Sequence, residues 1–184
     1  MKVVVALTGA SGQVYGLKVL KILKELGIET HVILSKAAEL TMKVEGIEES
    51  EVKKLAFRFY SDEEIDAPIS SGSFRHNGMI ISPCSIKTAS SIAYGITDNL
   101  ISRAADVTLK ERRPLVLLVR ETPLHSGHLK TLLTLSELGA IVMPPVPAFY
   151  IKPKSIDDII TYTSLRAISM LGIDVKHFEW SGMR

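Results

Sequence analysis

The sequence of 184 residues contains a single cysteine, Cys84, so no disulfide can form within one chain. A chain without internal disulfides is typical of a reducing compartment. It also lacks any apolar run close to the roughly 18 residues that a membrane-spanning helix requires. The apolar run Val3–Leu7 is too short for the core of a signal peptide. We therefore expect a cytoplasmic protein with no membrane partner.

Neither sign of charge dominates the chain. The 22 Lys and Arg residues nearly cancel the 20 Asp and Glu residues, which leaves a formal net charge of +2. No tract of Lys and Arg stands apart from acidic residues. Proteins that bind nucleic acid usually carry such a tract or a basic patch, so we expect no nucleic-acid partner.

Apolar strands that alternate with helices indicate the fold class. The predicted strands are Val3–Leu7, 29–35, 79–85, Leu115–Val119 and a short one within 140–147. The intervening segments show helical spacing of apolar residues, and we expect one of these helices over 52–59. This alternation predicts an α/β fold, a Rossmann-like (flavodoxin-like) parallel sheet with helices on both faces. The length fits a single domain over residues 1–184.

Polar and small residues follow the predicted strands, at the edge where parallel sheets bind ligands. The first such turn, Thr8–Gly12, lacks the spacing of the dinucleotide and P-loop fingerprints and equally fits tight packing of a helix on a strand. In the second turn, Ser85, Lys87 and Thr88 begin a helix and suit a phosphate without metal, although Ser85 also fits an ordinary N-cap. Two such turns in one domain favour a phosphorylated cofactor.

Charged residues are concentrated on both sides of the strand Leu115–Val119. Arg120 and Glu121 follow its carboxyl end, where ligands bind, and they equally fit a structural ion pair. Arg112 and Arg113 precede the strand, so we expect them to face solvent or another subunit.

Other chemistry-bearing residues give weaker signals. His125 and His128 lie three apart, but no third ligand has a recognisable spacing, so we expect no metal site. Cys84 is expected to be buried as a small apolar residue. Trp180 lies beyond the last predicted helix and is expected to pack on a neighbour, a ligand or another subunit.

The sequence resembles the flavin prenyltransferases over nearly its whole length. The resemblance rests on TGASGQVYG (8–16), SKAAELTMKVE (35–45), SGSF (71–74), the block from PCSIKT to RETPL (83–124) and AFYIKP (148–153). Within the long block, DNLISRAADVTLKERR (98–113) is the most specific part. The resemblance implies a Rossmann-like domain in a large homo-oligomer, expected to be a dodecamer, with FMN bound at subunit interfaces.

The same resemblance implies an activity. The family joins a dimethylallyl group, supplied as dimethylallyl phosphate, to N5 and C6 of reduced FMN and uses no metal. The product, prenylated FMN, serves a separate decarboxylase as its cofactor.

Residue roles are also implied by the resemblance. The implied FMN contacts are Gly9, Ala10, Ser11, Ser35, Ser85, Ile86, Lys87, Thr88, Arg103 and Arg120. The implied contacts of the donor phosphate are Lys110, Arg120, Tyr150 and Arg166, and the implied catalytic residues are Ser11, Glu45, Lys110 and Glu121. Fixed cations would offset the charge that grows on a departing phosphate, and aromatic rings would stabilise the allyl cation-like carbon.

Two other functions are compatible with this architecture. An FMN-dependent decarboxylase of the cysteine-decarboxylase type would carry a motif like PASANT where this chain has PCSIKT (83–88), and a catalytic His for which we find no counterpart near the first helix. A non-catalytic flavin carrier would bind FMN yet would not require Lys110, Arg120, Tyr150 and Arg166 beside it.

Overall fold

The computed structural model describes residues 1–178, 180 and 182. Its strands are β1 (Lys2–Leu7), β2 (Glu29–Leu34), β3 (Arg58–Ser61), β4 (Met79–Cys84), β5 (Leu115–Val119) and β6 (Ile141–Val142). Its helices are α1 (Gln13–Glu25), α2 (Lys36–Val44), α3 (Glu49–Leu55), α4 (Ile86–Ala93), α5 (Leu100–Lys110), α6 (Ser126–Glu137) and α7 (Ile156–Ser169). Two 3₁₀ turns cover Pro68–Ser70 and Phe149–Ile151.

The strands form one six-stranded sheet in the order β3-β2-β1-β4-β5-β6, and every pair is parallel. The chain builds outward from β1 through β2 to β3, and then returns to the other side of β1 to add β4, β5 and β6. The strand order therefore switches between β1 and β4, which is where ligands bind in open α/β sheets. The predicted α/β fold with a parallel sheet is confirmed.

Helices cover both faces of the sheet because successive strand residues point to opposite faces. Val4 and Ala6 face a core shared with α4, α5 and α6, whereas Val3, Val5 and Leu7 face a core shared with α1, α2, α3 and α7. All of these strand residues are buried. No helix in the described part of the chain is both long and apolar enough to cross a membrane.

The prediction of a helix over 52–59 is wrong in its second half. The helix α3 begins earlier, at a capping box formed by Glu48 and Glu51, and ends at Leu55. The chain then forms the edge strand β3, which pairs with β2. Only Tyr60 of its four residues is fully buried, so the strand is too short and too exposed to show a clear alternation of apolar and polar residues.

Candidate active site

A cleft of about 260 Å³ lies at the carboxyl ends of β1 to β4, where the strand order switches. Hydroxyl side chains dominate its lining, which comprises Thr8, Gly9, Ser35, Ala37, Asp62, Ser85, Lys87, Thr88, Ser91, Asn99, Ile101 and Ser102. Five predicted FMN contacts are part of this lining, namely Gly9, Ser35, Ser85, Lys87 and Thr88. The cleft therefore offers many hydrogen-bonding groups and one cation to a polar ligand.

Thr8 ties together the two strand ends that flank the cleft. Its hydroxyl donates to the carbonyl of Pro83 at 2.7 Å and accepts from the amide of Ser85 at 2.8 Å. Its own amide donates to the same Pro83 carbonyl at 3.2 Å. Because Thr8 is buried, these bonds are shielded from water and fix the spacing between the β1 and β4 loops.

Gly9 in the first turn and Gly16 in α1 are both required by close packing. A Cβ atom at Gly9 would lie 2.6 Å from Cβ of Ala37, at the start of α2. A Cβ atom at Gly16 would lie 2.2 Å from the carbonyl oxygen of Ser82 in β4. These approaches favour tight helix–strand packing as the reason for the glycine pattern in this turn.

The N-terminus of α1 is capped by a carboxylate of the protein itself. Glu45, directly after α2, accepts from the Ser11 hydroxyl at 2.9 Å, from the Gly12 amide at 2.7 Å and from the Gln13 amide at 2.8 Å. An anion site formed by free amides at this helix start is therefore already filled. The structure also brings together Ser11 and Glu45, two of the predicted catalytic residues.

The N-terminus of α4 has two backbone amides without an acceptor in the described part of the chain. The Ser85 hydroxyl caps the helix by accepting from the Thr88 amide at 3.3 Å, and it lies 3.1 Å from the Thr88 hydroxyl. Within the described residues, the amides of Ile86 and Lys87 have no hydrogen-bond acceptor. Two amides, two hydroxyls and the Lys87 ammonium thus surround a position suited to a phosphate.

Asp62 lines the cleft and was missed by the sequence analysis. Its Oδ1 atom is buried with no hydrogen-bond partner in the described part of the protein. Burial raises the pKa of this carboxyl above its ordinary value, while backbone amides of Asp62 and Lys36 oppose the shift. The residue follows β3, the strand that sequence patterns did not reveal, so its place at the carboxyl edge was not apparent.

The start of α5 closes the cleft on one side. Asn99 caps the helix by accepting from the Ser102 amide at 2.9 Å, and the Ser102 hydroxyl in turn accepts from the Asn99 amide at 3.4 Å. Both residues line the cleft, and neither was predicted as a site residue. The spacing of Asn and Ser three residues apart was the available signal.

A second pocket, of about 510 Å³, lies beside α7 and shares no lining residue with the first cleft. It is lined by Tyr150, Tyr162, Arg166, Ser169, Met170, His177, Phe178 and Trp180. The structure thus brings Tyr150 and Arg166, two predicted contacts of the donor phosphate, to one pocket. Trp180 packs edge-on to Tyr150, with ring centroids 6.2 Å apart and planes at 77°.

Lys110 lies away from both pockets in the single chain. It ends α5, whose first turn lines the cleft, so about 15 Å of helix separates it from the cleft. Its ammonium pairs with Glu111 at 2.6 Å, and a Cβ atom at Gly72 would lie 2.7 Å from it. Lys110 therefore faces the loop that follows the first 3₁₀ turn.

Two arginines of the charged block hold that same loop. Arg103 donates to the carbonyl of Ser70 at 3.1 Å and pairs with Asp106 at 3.0 Å. Arg113 donates to the carbonyls of Phe74 at 2.8 Å and Gly72 at 3.0 Å. Arg103 and Arg113 are thus hydrogen-bonded within the chain. Arg103, a predicted FMN contact, does not line the cleft.

Arg120 and Glu121 lie at the carboxyl end of β5, as the sequence places them. The Arg120 amide donates to the carbonyl of Cys84 at 3.0 Å, which fixes the strand end beside β4. The two side chains form no ion pair with each other in the structure, and neither lines the two pockets. The predicted contacts Ala10, Ser11 and Ile86 also stand outside the cleft lining, next to residues that form it.

The remaining candidates have structural roles. His125 caps α6, because its Nδ1 accepts from the amides of Gly127 at 3.0 Å and His128 at 3.4 Å. Among residues 1–178, 180 and 182, no group of three or more His, Cys, Asp or Glu side chains has the arrangement of a metal site. Cys84 is buried, as expected, and burial raises the pKa of its thiol to about 12.

Comparison with known proteins identifies the family. The family model described as Flavoprotein matches residues 1–167. The flavin prenyltransferase UbiX of Archaeoglobus fulgidus is 57% identical over 181 residues, which cover 98% of this chain and 100% of that protein. The chain belongs to the flavin prenyltransferase family. The family member UbiX of Escherichia coli (strain K12) is 50% identical over 186 residues, covering 98% of each chain.

Solved structures of the family share the whole fold. The crystal structure of AnUbiX (PadA1) in complex with FMN and dimethylallyl pyrophosphate superposes with a TM-score of 0.96, at 48% identity over 100% of this chain and 98% of that one. A dodecameric FMN-dependent UbiX-like decarboxylase from Escherichia coli O157:H7 gives a TM-score of 0.95, at 42% identity over 99% and 100% of the chains. The cysteine decarboxylase TvaF, at 14% identity and a TM-score of 0.68, shares the fold alone.

Proposed function

We propose that this flavin prenyltransferase family member joins the dimethylallyl group of dimethylallyl phosphate to N5 and C6 of reduced FMN. The second pocket carries the proposal, because Tyr150 and Arg166 meet there outside the cleft suited to a flavin. A flavin carrier needs only the first cleft. A relative's structure holds both FMN and dimethylallyl pyrophosphate, which supports two ligands of this kind.

The first cleft fits FMN through its phosphate. The free amides at the start of α4, the Ser85 and Thr88 hydroxyls and the Lys87 ammonium would hold the phosphate, with Ser35 across the cleft. We exclude the amides at the start of α1 from this role because Glu45 occupies them. Bound in reduced form, the flavin would supply the nucleophilic ring atoms.

The donor phosphate requires positive charge where it departs. Arg166 and Tyr150 would hold the phosphate oxygens in the second pocket, and Arg120 and Lys110 would add charge as the carbon–oxygen bond breaks. The rings of Tyr150 and Trp180 would face the positive carbon left behind.

We assign proton transfer to two carboxylates, Glu45 and Glu121. The hydrogen-bonded pair of Ser11 and Glu45 would move a proton at the edge of the cleft. Glu121, at the end of β5, would carry a proton to the phosphate or take one from C6.

Several subunits would complete the site. Within one chain the cleft, the second pocket and Lys110 are separate, so their shared role requires neighbouring copies to bring them together. The dodecameric structure of a relative supports an assembly of that size.

We further propose that the product passes to a separate decarboxylase and that the reaction takes place in the cytoplasm, although one yeast relative is named as mitochondrial.

The deciding experiment mixes purified protein, reduced FMN and dimethylallyl phosphate without oxygen, and then weighs the extracted flavin by mass spectrometry. We expect a flavin heavier by one C5 prenyl unit, formed only when protein and donor are both present. Dimethylallyl pyrophosphate in a parallel reaction shows which donor is used. Bound but unmodified FMN with both donors would contradict the proposal and favour a carrier. Adding the product to a decarboxylase that lacks its cofactor tests the proposed recipient.

A further inference from the structure

Tyr162 lines the second pocket together with Tyr150 and Arg166. It lies on α7, four residues before Arg166, so the two side chains share one face of the helix. Both line the pocket of about 510 Å³ that contains Tyr150. A phenol and a guanidinium on one rigid helix thus face the same space.

Tyr162 contacts the hydroxyl that is proposed to bind the donor phosphate. The hydroxyl groups of Tyr150 and Tyr162 are hydrogen-bonded to each other. Their rings pack edge to face, with centroids 6.0 Å apart and planes at 87°. Tyr162 therefore contacts Tyr150 through both its hydroxyl group and its aromatic ring.

Tyr150 depends on neighbours for its orientation. It lies in the short 3₁₀ turn Phe149–Ile151, and 50% of its surface is exposed. Its aromatic neighbours Phe178 and Trp180 contact the ring, with centroids at 5.7 and 6.2 Å. Among the described residues, Tyr162 is the one that forms a hydrogen bond with the Tyr150 hydroxyl.

Either of the two phenol hydroxyl groups can donate the hydrogen bond between Tyr150 and Tyr162. Each hydroxyl has one proton to donate and two lone pairs to accept. When Tyr162 donates to Tyr150, the Tyr150 proton is free to point at a phosphate oxygen. Burial, and then the bond to Tyr150, raises the pKa of Tyr162, so Tyr162 keeps its proton at neutral pH despite the opposing charge of Arg166.

We propose that Tyr162 is a positioning residue for the donor phosphate, which directs the Tyr150 hydroxyl into the pocket beside Arg166. This inference rests on the proposed function, because it assumes that Tyr150 and Arg166 receive a phosphate ester. It adds a residue that acts through Tyr150 rather than on the ligand. Removal of the Tyr162 hydroxyl should therefore weaken donor binding without affecting the flavin.

The first test is the variant Tyr162→Phe, which removes one oxygen and keeps the ring. Dimethylallyl phosphate is titrated by calorimetry into protein loaded with oxidised FMN, so that binding is measured without reaction. We expect roughly two- to tenfold weaker binding, the range that one neutral hydrogen bond gives, and a matching rise in KM with kcat little changed. FMN affinity should stay the same. Tyr94→Phe, at an exposed residue outside both pockets, is the matched control.

The second test places Tyr162→Phe in a Tyr150→Phe background. A residue that acts through Tyr150 should have no further effect there, whereas a general structural role would weaken binding in both backgrounds. Unchanged binding in the single variant, or an equal loss in both backgrounds, would overturn the inference while leaving the proposed function intact. If the unaltered protein binds no dimethylallyl phosphate, the proposed function itself fails, and the inference fails with it.

Discussion

The amide of Ser85 donates a hydrogen bond of 2.8 Å to the hydroxyl of Thr8, across the point where the strand order of the sheet switches. Thr8 follows β1 and Ser85 follows β4, so the bond joins the two loops that flank the first cleft. The same hydroxyl donates to the Pro83 carbonyl at 2.7 Å. One buried side chain thus sets the position of the α4 N-terminus, which we propose as the FMN phosphate site.

Replacement of Thr8 by Val should therefore affect both stability and flavin binding. Val has nearly the same shape but leaves the Ser85 amide without its acceptor. We expect a loss of about 1–3 kcal/mol in the free energy of unfolding, measured in urea, and weaker FMN binding, measured by fluorescence titration. Thr8→Ser retains the hydroxyl and is the control. Equal FMN affinity in Thr8→Val and the unaltered protein would show that the bond does not position the α4 start.

Glu45 is expected to contribute to stability as well as to catalysis. Replacement by Ala removes the acceptor of the Gly12 and Gln13 amides at the start of α1. We expect the free energy of unfolding to fall by about 1–2 kcal/mol, as for the loss of a helix cap, and prenyl transfer to be lost. Glu39→Ala, in the first turn of α2 and with no side-chain hydrogen bond to any described residue, is the control; it should lower stability less than Glu45→Ala does and leave prenyl transfer intact. Full stability in Glu45→Ala would show that water replaces the cap.

The sequence predicted the parts of the site that follow long buried strands. Val3–Leu7 and Leu115–Val119 are continuous apolar runs, so the residues after them were placed at the correct edge of the sheet. Asp62 was missed because β3 has only four residues and one fully buried side chain. The separation of Lys110 from the cleft could not be predicted from the sequence either, because it depends on which end of α5 lies at the cleft.

Asp62 should make stability depend on pH in a defined direction. Burial raises its pKa in the folded protein above the ordinary value of 3.8, so the folded state disfavours the ionised carboxyl. This penalty is absent at pH below 3.8, grows as pH rises from 3.8 to the raised pKa and is complete above that pKa. Asp62→Asn should therefore be more stable than the unaltered protein at neutral pH, and the difference should vanish at acid pH.

Urea unfolding of the flavin-free protein at several pH values measures this difference. Asp66→Asn, at an exposed position in the same loop, shows the effect of removing a negative charge from the surface. A stability difference for Asp62→Asn that stays constant with pH, or that matches the Asp66→Asn difference, would contradict the assignment.

Mixed oligomers test whether one site takes Lys110 and Arg166 from different subunits. Lys110→Ala and Arg166→Ala should each abolish prenyl transfer while FMN still binds, because neither residue lines the cleft that we propose for FMN. Co-expression of the two inactive chains with different tags yields assemblies that contain both. If two chains each donate one residue, random mixing leaves about a quarter of the sites with both native residues and about that fraction of the native rate. If one chain donates both residues, every site lacks one cation, and the mixed assembly stays inactive.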